Sequence, residues 1–232
     1  MSNRRVVAAN VVRCDQEHLG KKTPQPHESR LYGHLVPAYE VLWPAVARRR
    51  ILRNIAGLSI APETRVLEVG VGTGMSLEAY PDHADILGVD LSESMLAEAQ
   101  AKIHRNGWDH IRVRMMNAES LEFDDNQFDI VTSFHTVSVV SQPQRMMREL
   151  VRVCRPGGRI LVINHFRSEN PLIARVIDSA GPITRRIGWR TDLCAEELLA
   201  ELPIEVDESR KQSPLSLFRI LHARKKQHAV AS

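Results

Sequence analysis

No stretch of this chain approaches the ~18 consecutive apolar residues of a membrane-spanning helix, which excludes an integral helical membrane protein. Residues Met1 to Gln16 also lack an apolar run of signal-peptide length, so the expected setting is the cytoplasm. Cysteine is scarce. Cys14, Cys154 and Cys194 are odd in number and have no metal-ligand spacing, which argues against a disulfide framework and a cysteine metal site. Charge of one sign is not in excess either. A formal net charge of +3 does not mark a nucleic-acid binder. Internal repeats are absent.

What remains is an ordinary globular composition, 43% apolar and 25% charged over 232 residues, enough for one domain with a sizeable core. Basic residues cluster at Arg48, Arg49, Arg50 and Arg53, at Arg185, Arg186 and Arg190, and from Arg219 to Lys226. Residues 1–29 are polar and irregular and read as a tail, as do residues 227–232. The intervening residues 30–226 read as one domain, with residues 30–58 forming an N-terminal helical lid. There Leu31, Leu35, Tyr39, Leu42, Trp43, Val46, Ile51, Leu52 and Ile55 recur mostly at three- and four-residue steps. Pro37 and Pro44 are expected to break that region into short helices.

Beyond Pro62, strands and helices alternate. Strands are expected at Arg65 to Val69, Asp85 to Val89, Ile111 to Met115, Phe128 to Phe134 and Arg159 to Phe166. Helices are expected at Ser92 to Arg105, with Ser92 as N-cap, and at Gln142 to Val153. Apolar strands spaced by helices predict an α/β fold with a parallel sheet covered on both faces. A hairpin from Ile204 to Gln212 and Leu215 to Ala223, turning at Ser213-Pro214, predicts an antiparallel C-terminal edge.

The first strand ends in Glu68-Val69-Gly70-Val71-Gly72-Thr73-Gly74. Glycines let the backbone turn sharply and let a ligand approach where a Cβ would clash. A dinucleotide site uses Gly-x-Gly-x-x-Gly, with the pyrophosphate on a helix N-terminus. Here the third glycine comes one residue early, and the acid Glu68 suits a cationic cofactor better than phosphates. Asp90, twenty residues after Gly70, can accept hydrogen bonds from two ribose hydroxyls.

The loop resembles motif I of class I S-adenosylmethionine-dependent methyltransferases, which implies a Rossmann-like sheet and S-adenosyl-L-methionine as cofactor. The resemblance places Asn117, Ala118 and Glu119 at the adenine; Asn117 stands where the family's common residue is Asp. Flanking segments narrow it further. Tyr32 to Glu40, Val162 to His165, Arg185 to Arg190 and Ser216 to Ile220 resemble soluble bacterial phosphatidylethanolamine N-methyltransferases of the Rhodobacter type. This implies stepwise methylation of a phospholipid amine by a protein peripheral to the inner face of the membrane, touching an anionic surface.

In that reading Tyr39, His135 and His165 are the candidates for handling the amine proton, because an amine must shed its proton before its nitrogen can attack. Tyr32, Trp189 and Arg185, Arg186 and Arg190 are assigned to the substrate, the arginines to its phosphate. One departure stands out: Phe134-His135 follows the fourth strand where the family tends to carry Gln-Tyr. Methylation of a small molecule or quinone precursor stays open as an alternative, as does cofactor binding without turnover. Nucleic acid is not expected as a partner, because neither an Asn/Asp-Pro-Pro-Tyr/Phe motif nor an RNA-binding module is present. No obligate protein partner is implied.

Overall fold

The computed structural model describes residues 44–166, 193–211 and 218–227. Helix α1 (Pro44–Ala56) leads into strand β1 (Arg65–Val69), a 3-10 turn (Leu77–Ala79) and β2 (Asp85–Asp90). Then come α2 (Glu93–Asn106), β3 (Ile111–Met115), β4 (Phe128–Phe134), α3 (Pro143–Val153) and β5 (Cys154–His165). The short helix α4 (Ala195–Leu199) precedes β6 (Ile204–Lys211) and β7 (Phe218–Lys225).

The strands form one seven-stranded sheet in the order β3-β2-β1-β4-β5-β7-β6. The first five are parallel, and β7 joins antiparallel to β5 and to β6. Strand identity follows from two-sided burial. On β1, Val66 and Leu67 are both fully buried, and they feed opposite faces of the sheet. The same alternation runs through Ile130 and Val131, and through Ile160 to Ile163. One face carries α3, through Met146, Met147 and Leu150. The other carries α1 and α2, through Ile51, Ile55, Leu96, Ala99 and Ile103. Helix α2 starts where the Ser92 hydroxyl accepts from the Met95 amide at 3.4 Å and stops at Gly107, whose φ is 63°.

The chain moves outward from β1 to β2 and β3, then returns across β1 to β4. The strand order therefore reverses between β1 and β4, the place where a crevice opens beyond the carboxyl ends of the strands. That reversal positions the site.

The structure departs from sequence expectation in two strands. Strand β5 begins at Cys154, not Arg159, because Cys154 pairs with Phe128 before the register slips and Ile130 pairs with Arg159. The Pro-Gly-Gly stretch is thus a bulge within the strand. Strand β7 (Phe218–Lys225) runs on to Lys225, past the expected end at Ala223, and the expected start and turn fall outside the described residues, as do Tyr32 and Tyr39. Pro44 opens α1, as its fixed φ permits in a first turn and as a helix boundary at that proline requires.

The arginines of α1 do not act as one cationic face. Arg50 is only 6% exposed, with its guanidinium 4.7 Å over the Phe218 ring, and Arg48 donates to Glu78 at 2.6 Å. Only Arg49 and Arg53 remain as exposed arginines of this helix without that engagement to the 3-10 turn. Among the described residues no helix is long and apolar enough to cross a membrane.

Candidate active site: a cavity beyond the β1 and β4 termini

The glycine loop follows β1 and is stitched to the end of β2. The amides of Gly70 and Val71 both donate to the Val89 carbonyl, at 2.8 and 3.0 Å. Asp90 closes the loop with its carboxylate: Gly72 N donates to Oδ2 at 2.8 Å, and Ser92 N donates to Oδ1 at 2.9 Å. A carboxylate oxygen can accept from more than one donor. Gly70 has φ 81°, and a Cβ there would lie 1.9 Å from Thr136 Oγ1. Only glycine fits.

The cavity beyond these turns is lined by Glu68, Gly70, Gly72, Asp90, Asn117, Ala118 and His135 among the expected residues. Gly74 and Glu119 are not part of its wall. A Cβ on Gly74 would meet Leu77 Cδ1 at 2.7 Å, so this glycine serves the packing of the loop. The Glu119 carboxylate is buried and accepts from the Gln142 amide at 2.8 Å, tying the adjoining loop to the start of α3. Asn117 turns its own Oδ1 to the Glu119 amide at 2.9 Å, so its acceptor is already engaged.

Glu68 is nearly inaccessible, 1% exposed, and its carboxyl is pushed up to about 7 because burial disfavours the charge. Ser76 Oγ donates to Oε1 at 2.5 Å and Tyr80 OH donates to Oε2 at 2.7 Å. Neither Ser76 nor Tyr80 carries a periodicity or motif that marks it in the sequence. Burial and the neighbouring Glu68 charge raise the Tyr80 hydroxyl well above its ordinary value.

His135 stands at the carboxyl end of β4 with φ 59°, an unusual conformation for a non-glycine residue, held by its amide donating to the Ile163 carbonyl at 2.7 Å. Its ring meets Phe218 edge-on at 5.1 Å, and His165 meets the same Phe218 at 5.8 Å. Burial, then the positive charge of Arg50, lowers the His135 imidazole to about 4; burial lowers His165 to about 4. Both rings are neutral near pH 7. Only His135 reaches the cavity. His165, a candidate for the same proton, is buried behind it, 2% exposed, and does not line the cavity. Phe218 is the aromatic residue that joins them, and its segment is one of those flagged by resemblance. Tyr32, Tyr39, Arg185, Arg186, Trp189 and Arg190 lie outside the described residues.

This wall has a distinctive chemistry. Among the described residues that line it there are two carboxyl groups and no lysine or arginine. A pyrophosphate would find no cation here, whereas a cationic ligand with ribose hydroxyls would find acceptors. Leu91, Met116, Ala118, Val139 and Val140 add apolar surface for a flat heterocycle.

The comparison with known proteins agrees. The chain is 39% identical over 158 residues to the phosphatidylethanolamine N-methyltransferase of Cereibacter sphaeroides, covering 68% of this chain and 78% of that one. It belongs to the class I S-adenosylmethionine-dependent methyltransferases. The methyltransferase-domain family matches residues 67–162, from β1 through most of β5. A ubiquinone/menaquinone C-methyltransferase of Ectopseudomonas mendocina is 30% identical over 125 residues, 52% of this chain and 49% of that relative. In fold, the chain matches the phospholethanolamine N-methyltransferase 2 of Haemonchus contortus, with a TM-score of 0.67 at 18% identity, over 84% of this chain and 58% of that one.

The cofactor of this methyltransferase is S-adenosylmethionine, which supplies an electrophilic methyl group on a sulfonium. Asp90 would suit its ribose, the Asn117 and Ala118 segment its adenine, and Glu68, beside the Gly70 and Gly72 turns, its positive charges, the sulfonium included. Replacing Asp90 by Ala is expected to weaken cofactor binding by about 1.5–3 kcal/mol, the scale of a hydrogen bond to a charged group. Calorimetric titration measures this. Affinity equal to that of the parent protein would remove Asp90 from the site.

Proposed function

We propose that this methyltransferase N-methylates phosphatidylethanolamine towards phosphatidylcholine at a membrane surface. The observation that carries the reading is the 39% identity to the Cereibacter enzyme across 78% of its length. The geometry is compatible with amine chemistry. A neutral His135 in the cavity wall offers a nitrogen acceptor to the amine proton, and Phe218 holds its ring from behind. An ammonium with a pKa of about 10, taking lysine as proxy, must lose that proton before attack. The buried walls exclude water and align donor and acceptor, which is most of what a displacement at a sulfonium requires.

In this reading residues 30–58 form a lid over the cavity, Tyr32 and Tyr39 meet the head group, and Arg185, Arg186, Trp189 and Arg190 take the lipid phosphate. Association with an anionic inner membrane face rests on those arginines together with Arg49 and Arg53, not on Arg50.

A second reading is methylation of a quinone precursor, supported by the 30% identity to the Ectopseudomonas relative. One experiment separates the two. The protein is incubated with methyl-labelled S-adenosylmethionine and vesicles containing phosphatidylethanolamine, and the lipids are then resolved. Label in monomethyl, dimethyl and trimethyl lipid is the expected result. Unlabelled lipid, with label entering the methylated quinone when a demethylated quinone is added as a parallel acceptor, would overturn it.

A further inference from the structure

Glu68, Ser76, Tyr80 and Thr132 form a buried chain of hydroxyls that begins at the cofactor cavity and ends in the sheet. Its contacts are short: Ser76 Oγ to Glu68 at 2.5 Å, Tyr80 OH to Glu68 at 2.7 Å, and Tyr80 OH to Thr132 Oγ1 at 2.8 Å. Thr132 Oγ1 also faces the Leu67 carbonyl at 3.5 Å. Each hydroxyl has one proton to donate, so the direction of the chain depends on Glu68.

With Glu68 ionised, Ser76 and Tyr80 both donate to the carboxylate, and Thr132 donates to the Tyr80 oxygen. With Glu68 protonated, the carboxylic acid donates to Tyr80, Tyr80 donates to Thr132, and Thr132 turns to the Leu67 carbonyl. Ser76 donates to Oε1 in both cases. Every donor has an acceptor in either state, so neither form leaves a buried hydroxyl unsatisfied. An isolated buried carboxyl would be held to its neutral form; this one can take either at little cost in hydrogen bonds.

We propose that this reversible relay couples cofactor binding to one proton at Glu68, so that the cavity reads the charge of its ligand and favours the sulfonium donor over its uncharged thioether product. The inference rests on the placement of the cofactor in this cavity. A cation brought into the wall stabilises ionised Glu68, which releases its proton to solvent. Once the positive charge has left with the methyl group, Glu68 takes a proton back, and the site loses its preference for what remains.

The groups that face Glu68 are consistent with this. Asp90 at the end of β2 adds a second negative charge that opposes ionisation, and the hydroxyls of Ser76 and Tyr80 favour it. In the free protein the carboxyl titrates at about 7. The sign follows: a ligand cation lowers that value, so affinity for the donor rises with pH up to about 7 and levels above it.

The experiment is calorimetric titration of the protein with S-adenosylmethionine and with S-adenosylhomocysteine, each in two buffers of different ionisation enthalpy. Both ligands carry the same amino-acid group, so their affinity ratio cancels its titration. The donor-to-product ratio is expected to rise up to about tenfold from about pH 6 to about pH 8, with nearly one proton released by the donor at the lower pH. Glu68→Gln should make the ratio flat and abolish the proton release. Tyr80→Phe, which removes a donor to the carboxylate, should move the rise to higher pH. A pH-independent ratio with no proton released in the parent protein would overturn the relay, and so would undiminished proton release in Glu68→Gln. Gly70→Ala distinguishes the underlying assignment: loss of binding there with a flat parent ratio sinks the relay alone, whereas full binding there sinks both.

Discussion

Gly70→Ala is expected to reduce S-adenosylmethionine affinity at least ~100-fold, about 2.7 kcal/mol, while the sheet stays folded. Two costs combine. At φ 81° an L side chain carries left-handed strain of about 1–2 kcal/mol. The added Cβ would also lie 1.9 Å from Thr136 Oγ1 and 2.5 Å from its Cγ2. Thr136 can yield only by moving cavity wall, since its hydroxyl donates to the Phe134 carbonyl at 3.1 Å and its chain neighbour is His135. Gly72→Ala is the contrast. A Cβ there meets Met95 Sδ at 3.6 Å, an ordinary contact, so its cost is the backbone strain alone. Titration calorimetry, with thermal unfolding to confirm folding, measures both. Equal losses for the two variants would contradict the geometry. Adding Thr136→Gly to Gly70→Ala removes the conflicting atoms and should recover part of the affinity.

His135→Ala is expected to lower the rate of methyl transfer to phosphatidylethanolamine ~10²-fold, at the lower end for a group that handles a proton. Cofactor affinity should change far less, because Glu68 and Asp90 are untouched. The pH dependence carries the sign. Burial holds His135 at about 4, so its ring stays neutral across the working range, and a rising rate with pH reports loss of the ammonium proton. Raising the pH should therefore partly rescue His135→Ala. His165→Ala should cost less, because His165 reaches the cavity only through Phe218, edge-on at 5.8 Å. A single-turnover rate measured across pH decides this. Full activity in His135→Ala, or a loss in cofactor affinity equal to the loss in rate, would recast His135 as a packing residue.

Some of this protein is local in the chain and therefore legible there. Strands β1 and β4 have the bounds their apolar runs predict, because strands buried on both faces have few polar positions to blur them; β3, at the exposed edge of the sheet, matches as well. The N-cap Ser92 and the glycine loop are likewise short-range signals, each set by a backbone need that only a few residue types meet. The cofactor class followed from the same loop, from Glu68 and from Asp90.

Tertiary structure decided what depends on distant partners. Glu119 and Gly74 belong to the expected segments, yet the fold directs Glu119 to Gln142 and Gly74 towards Leu77, outside the cavity wall. Arg50 reads as one cation among four, but α1 lays it over Phe218 from a strand 168 positions along the chain from it in sequence order, where burial outweighs its preference for water. His135 and His165 look equivalent at the ends of neighbouring strands. Their difference arises because His135 has left the strand conformation, φ 59°, and turned into the crevice, while His165 remains paired with Phe218 in the sheet. The hydroxyls around Glu68 come from residues 8, 12 and 64 positions away, and no pattern joins them in the sequence. Local propensity and hydrophobic period determine elements; the direction of a buried polar side chain is set by whichever partners packing brings within hydrogen-bonding reach.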